Sequence, residues 1–73
     1  MYEGAAIAVD LDELLTPRET AEVTKLSVST LKDRRWKGTG PAFIKLSPGR
    51  GGRIRYRRSD VVAWLAAQRV GVA

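Results

Sequence analysis

The sequence predicts a small α+β domain made of two short helices, a two-stranded hairpin and a third helix. Three observations carry that expectation: two closely spaced helix-start signals at Thr16 and Ser27, a Gly/Pro break after Lys37, and two strand-like runs flanking a glycine-rich turn. The chain has 73 residues, which is one domain, and a chain this short buries only about 60% of its unfolded surface. All elements must therefore share one small core.

Residues 1–12 show no sustained period and carry Gly4 among small residues, so they are expected to form a loose N-terminal arm, with 13–73 as the folded domain. Leu11, Leu14 and Leu15 mark where the chain meets the core. Thr16-Pro17-Arg18-Glu19 fits a helix start, with Thr16 as N-cap, Pro17 at the first helical position and Glu19 completing a capping box. That helix should run to about Thr24 with Ala21 on its buried side. Lys25-Leu26 makes a very short turn, and Ser27 caps a second helix reaching about Lys37, with Leu26 and Leu31 at the hydrophobic-staple positions. Two short helices so joined form a helix-turn-helix.

Gly38-Thr39-Gly40-Pro41 ends the second helix. Ala42-Phe43-Ile44-Lys45-Leu46 reads as a strand, Ser47-Pro48-Gly49-Arg50-Gly51-Gly52 as a turn, and Arg53 to Arg57 as the returning strand. Ser59 is the expected cap of a third helix carrying Val61, Trp64 and Leu65 on one apolar face and fraying by Gly71. Trp64 is expected in the core, and Trp36 beneath the hairpin.

Composition narrows function by exclusion. The chain contains neither cysteine nor histidine, which removes disulfides, thiolate metal sites, the usual general base, and the Ser/His/Asp and Cys/His nucleophile systems. A non-enzymatic protein without metal or cofactor is expected. No apolar run approaches the roughly 20 residues that span a bilayer, and the N-terminus lacks a signal-peptide pattern, so the cytoplasm is the default compartment. The net charge of +5 hides an asymmetry. Residues 1–22 hold six acids against Arg18 alone, giving −5, whereas residues 23–73 hold twelve bases against Asp33 and Asp60, giving +10. A basic region so polarised reads as a nucleic-acid footprint.

Arg53-Ile54-Arg55-Tyr56-Arg57-Arg58 carries most of the chemistry. Strand alternation sends Ile54 and Tyr56 to the core and gathers Arg53, Arg55 and Arg57 into one cationic row. Charged residues also protect sheet edges from aggregation, but lysine is the usual choice there. Arginine favours bidentate phosphate contacts, Arg50 continues the cluster through the turn, and no acid lies between Arg50 and Arg58. Pro48-Gly49-Arg50-Gly51-Gly52 lacks the spacing of a phosphate-binding loop and is better explained as a hairpin tip.

On the second helix, taking Leu31 as the centre of the buried face puts Ser29, Asp33 and Trp36 nearly opposite, with Thr30, Lys32 and Lys37 on the flanks. Ser29, Thr30 and Lys32 are candidates for base-edge contact, and Lys37 is a further candidate DNA contact of this helix. Arg34 and Arg35 lie nearer the buried side, where long stems can cover apolar surface and still deliver a guanidinium to a phosphate. Asp33 is expected to pair with Lys37, four residues on.

The order Leu14-Leu15-Thr16-Pro17-Arg18-Glu19-Thr20-Ala21, Leu26-Ser27-Val28-Ser29-Thr30-Leu31, Gly38-Thr39-Gly40-Pro41-Ala42-Phe43-Ile44-Lys45-Leu46, Ile54-Arg55-Tyr56-Arg57-Arg58-Ser59-Asp60 and Ala63-Trp64-Leu65 resembles the small winged helix-turn-helix proteins of the MerR-like superfamily. Within it, the likeness is to the excisionase and AlpA-type group of phages and mobile elements. The resemblance covers roughly residues 14–67. It implies a recognition helix in the major groove, with base-reading roles for Ser29, Thr30 and Lys32, and a basic wing using Arg50, Arg53 and Arg55. Lys25 stands where the family usually has a turn glycine, and Arg34 where it usually has an aromatic whose packing Trp36 would replace.

The resemblance further implies a bare module that binds double-stranded DNA without a small-molecule effector. An excisionase is expected, working with neighbouring copies of itself and an integrase, with no membrane partner. The alternatives are an AlpA-type transcriptional regulator and, from another class, an RNA-binding or protein-interaction module. Few aromatics are available for the base stacking that RNA recognition favours.

Overall fold

The computed structural model describes residues 12–49 and 53–71. Strand β1 (Leu14–Leu15) leads into helices α1 (Pro17–Thr24) and α2 (Val28–Lys37); strands β2 (Ile44–Lys45) and β3 (Ile54–Arg57) form the hairpin, and α3 (Arg58–Ala67) closes the chain. The architecture is the α+β winged helix-turn-helix that the sequence predicts. The expected N-terminal arm up to Leu11 and the hairpin tip at Arg50, Gly51 and Gly52 lie outside the described residues.

Helix α1 starts as its sequence dictates. Thr16 Oγ1 accepts from the Glu19 N–H at 3.1 Å and Glu19 Oε1 accepts from the Thr16 N–H at 2.9 Å, so two orphan donors are satisfied reciprocally. Its fully buried residue is Thr20, whereas Ala21 is only half-buried, contrary to the expected facing. Burying Thr20 leaves no polar group unpaired, because its hydroxyl donates to the Thr16 carbonyl at 2.9 Å.

The turn keeps its left-handed geometry without glycine: Lys25 sits at φ 64°, ψ 22°. That conformation costs a residue bearing a Cβ about 1–2 kcal/mol. Thr24 supports the turn by accepting from the Leu26 N–H at 3.3 Å. Ser27 then caps α2, accepting from the Thr30 N–H at 3.0 Å. At the other end Gly38 adopts φ 71°, and the Thr39 N–H reaches back to the Arg34 carbonyl at 2.9 Å. The chain then folds closely over α2: a Cβ on Gly40 would stand 3.0 Å from Arg34 Cβ.

The sheet is larger than the expected two-stranded hairpin. Its order is β1-β3-β2, both pairings antiparallel, with Leu14 opposite Arg57, Leu15 opposite Tyr56, Ile44 opposite Arg55 and Lys45 opposite Ile54. A two-residue strand is too short to show alternation, so Leu14-Leu15 is legible only as apolar. Arg58 N–H donating to the Glu13 carbonyl at 2.9 Å extends the β1 pairing.

Leu15, Tyr56 and Val61 form the core cluster, with Ile54 and Leu65 partly buried against it; Leu31 of α2 is fully buried as well. Helix α3 begins directly after β3, with Arg57 at its N-cap making no side-chain cap bond. Ser59 is therefore inside the helix rather than its cap, and its hydroxyl donates to Asp12 Oδ1 at 3.4 Å. Trp64 is half-buried rather than wholly core, and its indole N–H donates to the Thr39 carbonyl at 3.1 Å. Trp36 does not pack beneath the hairpin: it is 88% exposed.

Candidate nucleic-acid interface

The exposed face of α2 begins with a hydroxyl cluster. Ser27 Oγ accepts from the Thr30 N–H, lies 3.2 Å from Ser29 Oγ and donates to Thr30 Oγ1 at 2.9 Å. A hydroxyl has one proton and two lone pairs. With the Ser27 proton on Thr30, Ser29 must donate to Ser27, which leaves an acceptor oxygen on Ser29 and a donor O–H on Thr30 for an incoming group. Lys32 follows on the same exposed surface with no ion pair among the described residues. Ser29, Thr30 and Lys32 are thus gathered in the first turns of α2. Lys37 pairs with Asp33 at 3.2 Å, both well exposed, as their spacing predicts.

Arg34 and Arg35 are used differently from the sequence expectation. The Arg35 guanidinium donates to the buried Tyr56 hydroxyl at 2.7 Å and lies 5.9 Å from both the Phe43 and Tyr56 ring centres. Arg34 lies 5.7 Å over the Trp64 ring, so the aromatic partner at this position is Trp64 and not Trp36. Arg34 Nε is buried with no hydrogen-bond partner. Both guanidinium groups face aromatic rings within the protein, contacts that gain strength as water is removed. They join α2 to the hairpin and to α3.

The arginine row of β3 divides in two. At the base, Arg57 Nη2 bonds Asp12 Oδ1 at 2.9 Å, and Arg58 Nε and Nη2 both reach Glu13 Oε1 at 3.1 Å. The expectation of a row without acids therefore fails: no acid lies within 50–58, but β1 pairing brings Asp12 and Glu13 from the N-terminal side. The hydrogen bond that Arg57 donates to Asp12, then the charge of Asp12 and that of Asp60, hold its guanidinium above its ordinary pKa. Towards the tip, Arg53 is exposed without an ion pair among the described residues, and Arg55 is half-buried, donating to the Ile54 carbonyl at 2.7 Å. Arg50 lies outside the described residues.

The register sets the direction of the row. Arg55 and Arg57 share a sheet face with Ile44 and Leu14, while Lys45 shares the opposite face with Ile54, Tyr56 and Leu15. It is this second face that looks toward α2. Between them lies an open groove of about 960 Å³ lined by Ser29, Lys32, Asp33, Arg35 and Trp36 of α2 and by Phe43, Lys45 and Ile54 of the hairpin. The arginine row occupies the outer side of the wing. Of the groove's lining, Asp33, Trp36, Phe43, Lys45 and Ile54 are not among the contact candidates that the sequence offers. The sign of Lys45 was available in its alternation with Ile44, but its facing depends on the hairpin register.

A family model described as a helix-turn-helix domain matches residues 14–69, from β1 through α3. The chain belongs to this helix-turn-helix domain family. The family includes AlpA-like and excisionase-like proteins, and membership supports sequence-specific binding to DNA. No curated protein and no solved structure matches the chain. Among the described residues of this helix-turn-helix protein, no helix is long and apolar enough to cross a membrane, and no cluster of acids could hold a metal ion.

Proposed function

We propose that this protein is an excisionase: copies bind neighbouring repeats at a recombination attachment site, bend the DNA and direct an integrase toward excision. Helix α2 enters the major groove and reads base edges with Ser29, Thr30 and Lys32, while Arg50, Arg53 and Arg55 of the wing contact flanking phosphates. Arg57, tied to Asp12, contributes little to that contact.

The observation that carries this reading is the small number of cations left unneutralised on the α2 and wing surface among the described residues. Each phosphate neutralised contributes about −0.9 to the slope of log affinity against log salt, so Lys32, Lys45, Arg53 and Arg55, which meet neither an acid nor an aromatic ring there, give a slope of at most about −4. One copy therefore holds DNA weakly at physiological salt. Occupancy gains when several copies bind adjacent repeats and share a bend costing of order 1–6 kcal/mol. Repeated sites and bending are what an excisionase requires, and membership of a family that includes excisionase-like proteins supports the assignment.

Footprinting over an attachment site, with an integrase excision assay run with and without the protein, tests the proposal. Protected repeats and stimulated excision are expected. Unchanged excision together with repression of a neighbouring promoter would instead assign the same surface to a transcriptional regulator.

A further inference from the structure

The groove between α2 and the wing holds two features that base reading and the arginine row leave unused: a tryptophan exposed over 88% of its surface and a lysine on the inner face of the hairpin. We propose that this groove seats one DNA strand's sugar–phosphate backbone, with Trp36 packed against deoxyribose and Lys45 on the phosphate beside it, across from Lys32 at the base edges. This rests on the reading of α2 as the helix in the major groove.

Position along the helix decides what Trp36 can touch. Ser29 and Trp36 are seven residues apart on one face of α2, so about 10 Å of rise separates them at 1.5 Å per residue. Recognition helices meet base edges with their N-terminal residues, so with Ser29 at the bases Trp36, two turns on, is carried toward the groove's rim and the backbone. An indole there meets the apolar face of a sugar and needs no hydrogen-bond partner on DNA beyond one for its N–H.

Charge chooses the occupant. Of the groove's ionised side chains, Asp33 is neutralised by Lys37 and Arg35 is held by Tyr56. Lys32 and Lys45 remain, without an ion pair among the described residues, on opposite walls. Two free cations facing each other across an aromatic side chain fit a polyanion with an apolar repeat between its charges. A second protein chain would have to bring acids to both walls at once.

The test uses the full chain and a fluorescein-labelled mixed-sequence DNA duplex. Trp36→Ala should fold like the parent by circular dichroism and thermal melting, because the side chain is exposed, yet bind the duplex at least about fivefold more weakly. Its salt slope should match the parent's, since an indole releases no counterion, whereas Lys45→Ala should lower the slope by about 0.9. Adding duplex should quench or blue-shift the tryptophan emission of the parent, and Trp36→Phe should remove that change while leaving the Trp64 signal. Parent-like duplex affinity in Trp36→Ala, or an emission that duplex leaves unaltered, would overturn the proposal. So would loss of self-association in Trp36→Ala by sedimentation with DNA binding intact, which would make the groove a protein-docking surface. Failure of the parent itself to bind duplex would sink the DNA-binding reading as well, so the two failures are distinguishable.

Discussion

The two ends of strand β3 carry the same residue type and do different work. At its base, Arg57 and Arg58 are held by Asp12 and Glu13, and between them and the tip Tyr56 is fully buried with its hydroxyl bonded to Arg35. At the tip end, Arg53 is exposed and meets no acid among the described residues. The contrast teaches that a run of arginines cannot be counted as a run of phosphate contacts. What decides a guanidinium's role is the strand or helix that folding lays beside it. Here the acids beside β1 take up the base of the row, and the aromatic side chains take up Arg34 and Arg35 from α2.

The largest expected effect lies at the buried end. Tyr56→Ala should cost about 3–5 kcal/mol, as large aromatic truncations in cores do, and in a domain this small that is enough to leave much of the chain unfolded. Chemical denaturation measures it directly, and a near-neutral result would deny that the base of β3 is structural. Next comes Arg35→Ala, which strands a buried phenol and should cost about 1.5–3 kcal/mol. If Arg35 is a structural pin, the folded fraction of that variant keeps the parent's salt slope on duplex DNA. A slope lowered by about 0.9 would return Arg35 to the phosphate contacts.

At the tip the expectation reverses. Arg53→Ala should leave the denaturation midpoint unchanged and lower the salt slope by about 0.9. Arg57→Ala, one sheet position from the core but ion-paired, should move that slope far less. Equal slopes for the two variants would erase the distinction between the ends of the strand.

Much of this fold was legible because its signals are local. Thr16, Pro17 and Glu19 define one helix start within four residues, Ser27 defines the next, and Asp33 finds Lys37 at one helical turn. Features set by distant partners were not legible. Leu14-Leu15 pairs with residues more than forty positions away, and that pairing brings Asp12 to Arg57 and Glu13 to Arg58. It also pins the start of α3 at Arg58, which is why Ser59 lost its expected capping role. Trp36 was misplaced for a related reason. Apolar character suggests burial, but the space beneath the hairpin is taken by Arg35, stacked on Phe43 and Tyr56. The candidate base readers needed only the helix period, and they stand together on α2. The inward face of Lys45 needed the hairpin register, which no single strand reveals.

The smallest expected effect is the most direct probe of the contrast, because it alters only the acid. Asp12→Asn keeps the size of the side chain and an acceptor oxygen for Arg57 and Ser59 but removes the charge. The pair is exposed, and such pairs contribute little to stability, so the melting temperature should barely change. Duplex affinity should rise modestly and the salt slope should steepen by up to about 0.9, since Arg57 becomes available to a phosphate. The arginine side of this pair does not titrate near neutrality. A cation whose folded pKa is raised contributes stability in full below its unfolded value and loses it only as pH climbs through the higher folded one, and both lie in the strongly alkaline range. The gain from Asp12→Asn should therefore be the same at pH values on either side of neutral. In the double variant Asp12→Asn, Arg57→Ala the part of the gain that runs through Arg57 should vanish, because the cation that Asp12 holds among the described residues is gone. A gain that survives in the double variant would mean that Asp12 repels DNA by its own charge, and the base of the strand would then be discharged without being masked.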